Sequence, residues 1–162
     1  MGYDDVIIKG QESLLTLPEP YDKISNIPAV ITYDKNNFAG DDVSRRALIF
    51  YQDQMLLQPY VASHFNGITE PTKYRGSFEF REALQTNINY QRPGTFVPSS
   101  MFDVQAGSFA KNTFNNKIVL IGYDDKFTPS YYIKTPYTRD LLGMTKLEAQ
   151  AQVIKTFLDN SG

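Results

Sequence analysis

Two segments of the chain carry its clearest hydrophobic patterns. Residues 117–122 (KIVLIG) set four apolar residues in a row between a lysine and a glycine. Four apolar residues without alternation predict a strand buried on both faces, central in a mainly parallel sheet. From Leu147 the period changes. Leu147, Ala151, Ile154 and Leu158 fall at i, i+4, i+7 and i+11, one stripe of an amphipathic helix. Thr145 and Glu148 stand at its start with capping-box spacing, in which each side chain satisfies the other's backbone N–H. A two-faced strand followed by such a helix predicts an α/β fold. Its form would be a mixed, mainly parallel central sheet flanked by helices, in a single domain.

Weaker patterns fill in the rest. Residues 6–8, 28–33 (PAVITY), 47–51 (ALIFY) and 88–90 read as short strands. Residues 54–66 show helical spacing through Leu57, Val61, His64 and Phe65. Pro59 fits there only in the first turn, where a missing N–H does no harm. Ser99 or Ser100 caps a short helix over residues 100–107, with Met101, Val104 and Phe102 facing inward. Residues 78–84 fit either a strand or a helix. Pro18, Pro20 and Pro28 punctuate a loop over residues 17–28, and residues 34–42 carry turn chemistry. A long Tyr- and Pro-containing connection covers residues 123–143.

Composition narrows the function classes. A chain of 162 residues suits one domain and can bury a core without disulfides or metal. Its 41% apolar and 21% charged content is that of a globular protein, which excludes intrinsic disorder. The net charge is −2, and no basic run exceeds Arg45-Arg46. Nucleic-acid binding needs clustered positive charge, so it is not expected. Cysteine is absent, which excludes a thiol nucleophile and cysteine-ligated zinc. No apolar run approaches the ~20 residues that span a bilayer. The chain reads as a soluble piece, compatible with a place in a longer membrane protein.

The order of motifs then becomes informative. Residues 114–122 (FNNKIVLIG) are followed by Thr135-Pro136, by Gly143, and by the helix sequence EAQAQVIKTFL over 148–158. Upstream lie FAGDDVSRRAL (38–48), INYQRPGTF (88–96) and SSMFDVQAG (99–107). This series resembles the type-two CHASE domain, a sensory domain of cyclases and histidine kinases, over about residues 28–159. In the 38–48 turn Asp41, Asp42, Val43, Arg45 and Arg46 match the family pattern, and the family's glycine is either replaced by Asp42 or absent. The family opens with an acidic strand and a Trp-Pro stretch, whereas this chain contains no Trp. The resemblance therefore covers the C-terminal portion of the family pattern. It implies residues 1–27 as an N-terminal strand and loop, and 28–162 as a sensor core whose last helix leads to the membrane.

Candidate chemistry is sparse. Asp124 and Asp125 follow the predicted central strand, where ligands bind in open α/β sheets, and paired carboxylates suit Mg²⁺ or Ca²⁺. The competing reading is a solvated acidic loop. Arg45 and Arg46 offer planar guanidinium forks for a carboxylate or phosphate, against pairing with Asp41 or Asp42. Tyr131 and Tyr132, with Tyr137, crowd one loop and form either a recognition surface or loop packing. His64 is the sole histidine, too little for a metal site, and no Gly-x-Ser-x-Gly elbow or phosphate-binding glycine motif is present.

The expectation is thus a non-enzymatic sensor on the periplasmic side of a bacterial inner membrane. It has no cofactor, no metal and no catalytic residues. Candidate ligand contacts are Arg45, Arg46, Asp124, Asp125, Tyr131 and Tyr132. Its partners are an unidentified small-molecule or protein signal, the membrane through segments outside this chain, and a second copy in a homodimer, with no nucleic acid. The alternative is a small metal-dependent hydrolase or nucleotide-binding α/β domain built on Asp124 and Asp125.

Overall fold

A computed structural model of the chain describes residues 40–51, 53–68, 70, 74–80, 82–124, 127–129, 132–138 and 143–162. The predicted strands over 6–8 and 28–33 lie outside the described residues. Strand β1 spans Arg46–Tyr51, β2 Gln54–Met55, β3 Phe78–Phe80, β4 Ala83–Asn87, β5 Tyr132–Ile133 and β6 Met144–Thr145. Helix α1 spans Leu57–Asn66, α2 Met101–Gln105 and α3 Lys146–Leu158.

The pairing overturns the expected sheet. A four-stranded sheet runs β2-β1-β4-β3, β5 and β6 form a separate ribbon, and every strand pair is antiparallel. A mainly parallel central sheet is therefore incorrect. The one parallel contact among the described residues is an isolated bridge, Val43 to Lys134. Local geometry explains the outcome. Tyr51 pairs with Gln54 and Phe80 with Ala83, so both hairpins close through two-residue turns. Asp53 and Glu82 take left-handed backbone there, as such turns require. Asp42 is left-handed too (φ 58°), so it supports the turn where the family pattern has glycine.

Strand β1 is the sheet's buried centre. Ala47 and Ile49 join the main core, while Leu48 packs the other face with Leu56 and Ala83. A register shift between Leu48 and Phe50 marks a bulge, and both Ile49 and Phe50 then contact the main core. Helices α1 and α3 pack together on this side, where Gln58 donates to Gln150 across their contact.

Helix α3 forms where expected and α1 starts at Leu57, residues 54–55 forming β2 instead, and the buried faces of both helices are rotated. In α1 the buried residues are Gln58, Pro59, Ala62 and Ser63, whereas His64 and Phe65 are exposed. In α3 the core row is Ala149, Val153 and Phe157. Ile154 is also buried, but Leu147, Ala151 and Leu158 are only partly so. Polar Gln152 and Thr156 are wholly buried on the same helix. Gln152 Oε1 and Thr156 Oγ1 accept hydrogen bonds there, whereas Gln152 Nε2 is buried without a partner.

The segment 95–124 departs furthest from its pattern. Helix α2 forms and Ser100 caps it by accepting from Phe102 N at 3.2 Å. None of its residues is buried, so the inward placement of Met101, Phe102 and Val104 is incorrect. Residues 117–122 are not a strand. Ile118 and Leu120 are half-buried, whereas Val119 is 51% and Ile121 79% exposed. The period-2 alternation persists without strand partners. Gly122 passes close to α3, where a Cβ would meet Leu147 Cδ1 at 2.8 Å.

Candidate functional site

The residues nominated from sequence do not converge. Arg45 grips Asp41 through two bonds, Nη1 to Oδ1 at 2.8 Å and Nη2 to Oδ2 at 2.6 Å. Asp41 Oδ1 also accepts from Val43 N at 3.2 Å. Ser44 N donates to the Lys134 carbonyl at 2.9 Å, so this corner fastens residues 41–45 to the β5 end. Arg46 is buried in β1, donates to Gln85 Oε1 at 2.9 Å and stacks 5.2 Å from the Phe80 ring centroid. Arg45 just precedes β1 and Arg46 opens it, and the two guanidinium groups engage different partners.

Asp124 is half-buried, and its Oδ1 is shielded with no hydrogen-bond partner. Asp125 and Tyr131 lie outside the described residues. Tyr132 sits in β5, opposite Thr145 of β6. His64 is exposed on the last turn of α1 and stacks on Tyr60, with centroids 6.2 Å apart. Among the described residues no three Asp, Glu or His side chains are arranged to hold a metal ion.

A hollow of about 380 Å³ opens beside the two hairpin turns. Phe50 and Phe80 line it, and Asp53, Glu79 and Glu82 contribute carboxylates. Behind the sheet's other face, Tyr74 packs its ring on Phe157 at 4.8 Å and donates to the Pro59 carbonyl at 3.3 Å. Burial pushes the Tyr74 phenol above the ordinary tyrosine range, and a hydrogen bond with Ser63 opposes part of that shift.

Helix α3 is engaged by hydrogen bonds along its whole length. Thr145 caps it by accepting from Glu148 N at 3.2 Å, but the reciprocal arm of the capping box is redirected. Glu148 Oε1 accepts instead from Gly94 N at 2.7 Å. Further along, Gln152 Oε1 accepts from Gln91 N at 3.0 Å and Thr156 Oγ1 from Asn89 N at 3.1 Å. The helix closes on a Schellman motif: Asn160 N donates to Phe157 O and Ser161 N to Thr156 O, with Asn160 left-handed. Asn160 Oδ1 then accepts from Arg75 N at 2.6 Å. Sequence reasoning missed these polar residues. The signal available was their four-residue spacing (Glu148, Gln152, Thr156), which also fits a solvated face.

Among the described residues no helix is long and apolar enough to cross a membrane. The CHASE2 domain model matches residues 9–162, starting upstream of the residue-28 boundary of the motif series. No curated protein matches the chain, and no solved structure does. The match over nearly the whole length settles the family: the chain belongs to the CHASE2 domains, which are extracytoplasmic sensor domains rather than catalytic ones.

Proposed function

We propose that this chain is the sensing part of a membrane-anchored bacterial receptor. Residues 28–162 act as its core, and a small molecule or protein outside the cell biases its conformation. Helix α3 carries that bias toward a nucleotide cyclase or protein kinase beyond the membrane. The observation that carries the reading is the family match, joined to the engagement of α3 with the main core and with residues 89–94. The ligand need not touch Arg45 or Arg46, whose guanidinium groups serve Asp41, Gln85 and Phe80. A ligand shifts the equilibrium only by its differential affinity for two states.

The test places proline at Ile154 in the full-length receptor and reads its signalling output. Proline inside a helix costs about 3 kcal/mol or more and removes a backbone bond. Loss of output is expected, while Lys155→Ala on the exposed side serves as control. Undiminished output from an Ile154→Pro receptor that accumulates in the membrane overturns the relay.

A further inference from the structure

The backbone of β4 is paired on one edge by β1. Its other edge is paired by β3 only as far as Gln85, opposite Phe78. Beyond β4, Ile88 N still donates to the Arg45 carbonyl at 2.7 Å, on the β1 side. The alternate N–H groups of Asn89 and Gln91 turn the other way and meet no strand. They meet α3, through Thr156 Oγ1 and Gln152 Oε1. At the two ends of the helix Gly94 N, in the turn over residues 92–95, donates to Glu148, and Arg75 N, from a separate segment, donates to Asn160.

The two repeats match. Four residues of helix rise about 6 Å, and two residues of extended chain span about 6.6 Å. A helix carrying acceptors every four residues can therefore serve alternate N–H groups of an antiparallel extended segment. Residues 148, 152, 156 and 160 keep that spacing. Gln152 and Thr156, the two middle positions, are 0% and 2% exposed.

We propose that α3 acts as the missing edge strand for residues 89–91, through a ladder of side-chain acceptors on Gln152 and Thr156, with Glu148 holding the turn that follows, so that helix and segment are locked in one register. Gln152 and Thr156 are the positioning residues. The core row beside the ladder is graded in size, Ala149 then Val153 then Phe157. A slide of one turn would drive Val153 into the space of Ala149 and Phe157 into that of Val153, which overpacks the core. Rotation by one residue would carry the acceptors off their donors. Helix α3 therefore moves only together with residues 89–94, and these lead directly into the exposed segment 95–124. The functional meaning rests on α3 being the relay, and the ladder itself does not.

Amide hydrogen exchange on the whole chain, resolved by residue, tests it. The Asn89 and Gln91 amides should be protected, and Gln152→Ala should speed exchange at Gln91 by about tenfold or more, the scale of losing a bond to a buried partner. Thr156→Val, the milder change, should do the same at Asn89 while leaving Gln91 protected. If Gln152→Ala unfolds the chain, Thr156→Val and Glu148→Ala, read at Asn89 and Gly94, decide alone. Unprotected Asn89 and Gln91 amides in the wild type, or protection that survives removal of their acceptors, overturn the ladder. Loss of output after Ile154→Pro has no bearing on these readings, so the two proposals fail separately.

Discussion

Helix α3 and the segment 117–122 carry comparable hydrophobic signals and meet opposite fates. In α3, Val153, Ile154 and Phe157 are almost wholly buried, between α1, the sheet and the β5–β6 ribbon. In the segment, Val119 and Ile121 face outward, and Ile118 and Leu120 are only half-covered. The neighbouring stretch behaves alike, with Val97 83% and Phe102 82% exposed. An apolar pattern states a need for cover and does not supply it. A helix completes its own backbone bonds and needs one packed face. A strand needs partners on its edges and layers on its faces, all from elsewhere in the chain.

The comparison breaks most visibly at Phe157. Its truncation to alanine should cost about 3–5 kcal/mol, as for a fully buried aromatic side chain, measured by chemical denaturation. A loss near zero would mean that α3 is not packed as described. The next effect is pH-dependent. Tyr74 has a raised folded-state pKa, so its unfolded phenol ionises first. Its contribution is complete below about pH 10 and declines as pH rises from there through the folded value. Alkaline unfolding profiles should show this loss, and Tyr74→Phe should remove it. Identical profiles for the two proteins would contradict the burial of the phenol. The smallest effect is expected at Ile121. An aspartate there should change stability by no more than about 0.5 kcal/mol, as for an ordinary surface site. A loss of several kcal/mol would show that residues 117–122 are covered in solution, as their sequence pattern predicts, and would erase the contrast with α3.

Much of the local structure was legible. The β1 strand, the presence of α1 with Pro59 in its first turn, the Ser100 cap and the Thr145 cap all follow from short-range chemistry. The faces of the helices were not legible. Buried Gln58, Gln152 and Thr156 look like solvent-facing residues until their partners are known. Those partners stand far away in sequence: Gln150 is 92 residues from Gln58, and Asn89 is 67 from Thr156. The candidate ligand residues are dispersed for a related reason. Arg45 and Arg46 are adjacent in sequence, yet one side chain pairs with Asp41 before β1 and the other with Gln85 of β4.

From its own order of residues the chain fixes the β1 strand, the two long helices, the Ser100 and Thr145 caps and the family, because caps and motif order act within a few positions or along the chain. The tertiary structure alone decided the antiparallel order β2-β1-β4-β3, the faces that α1 and α3 bury, and the exposure of residues 117–122. Each of these depends on which distant groups arrive to accept a hydrogen bond or fill a space. Neither the hydrophobic period nor local propensity encodes that arrival, and burial is stable only where it occurs.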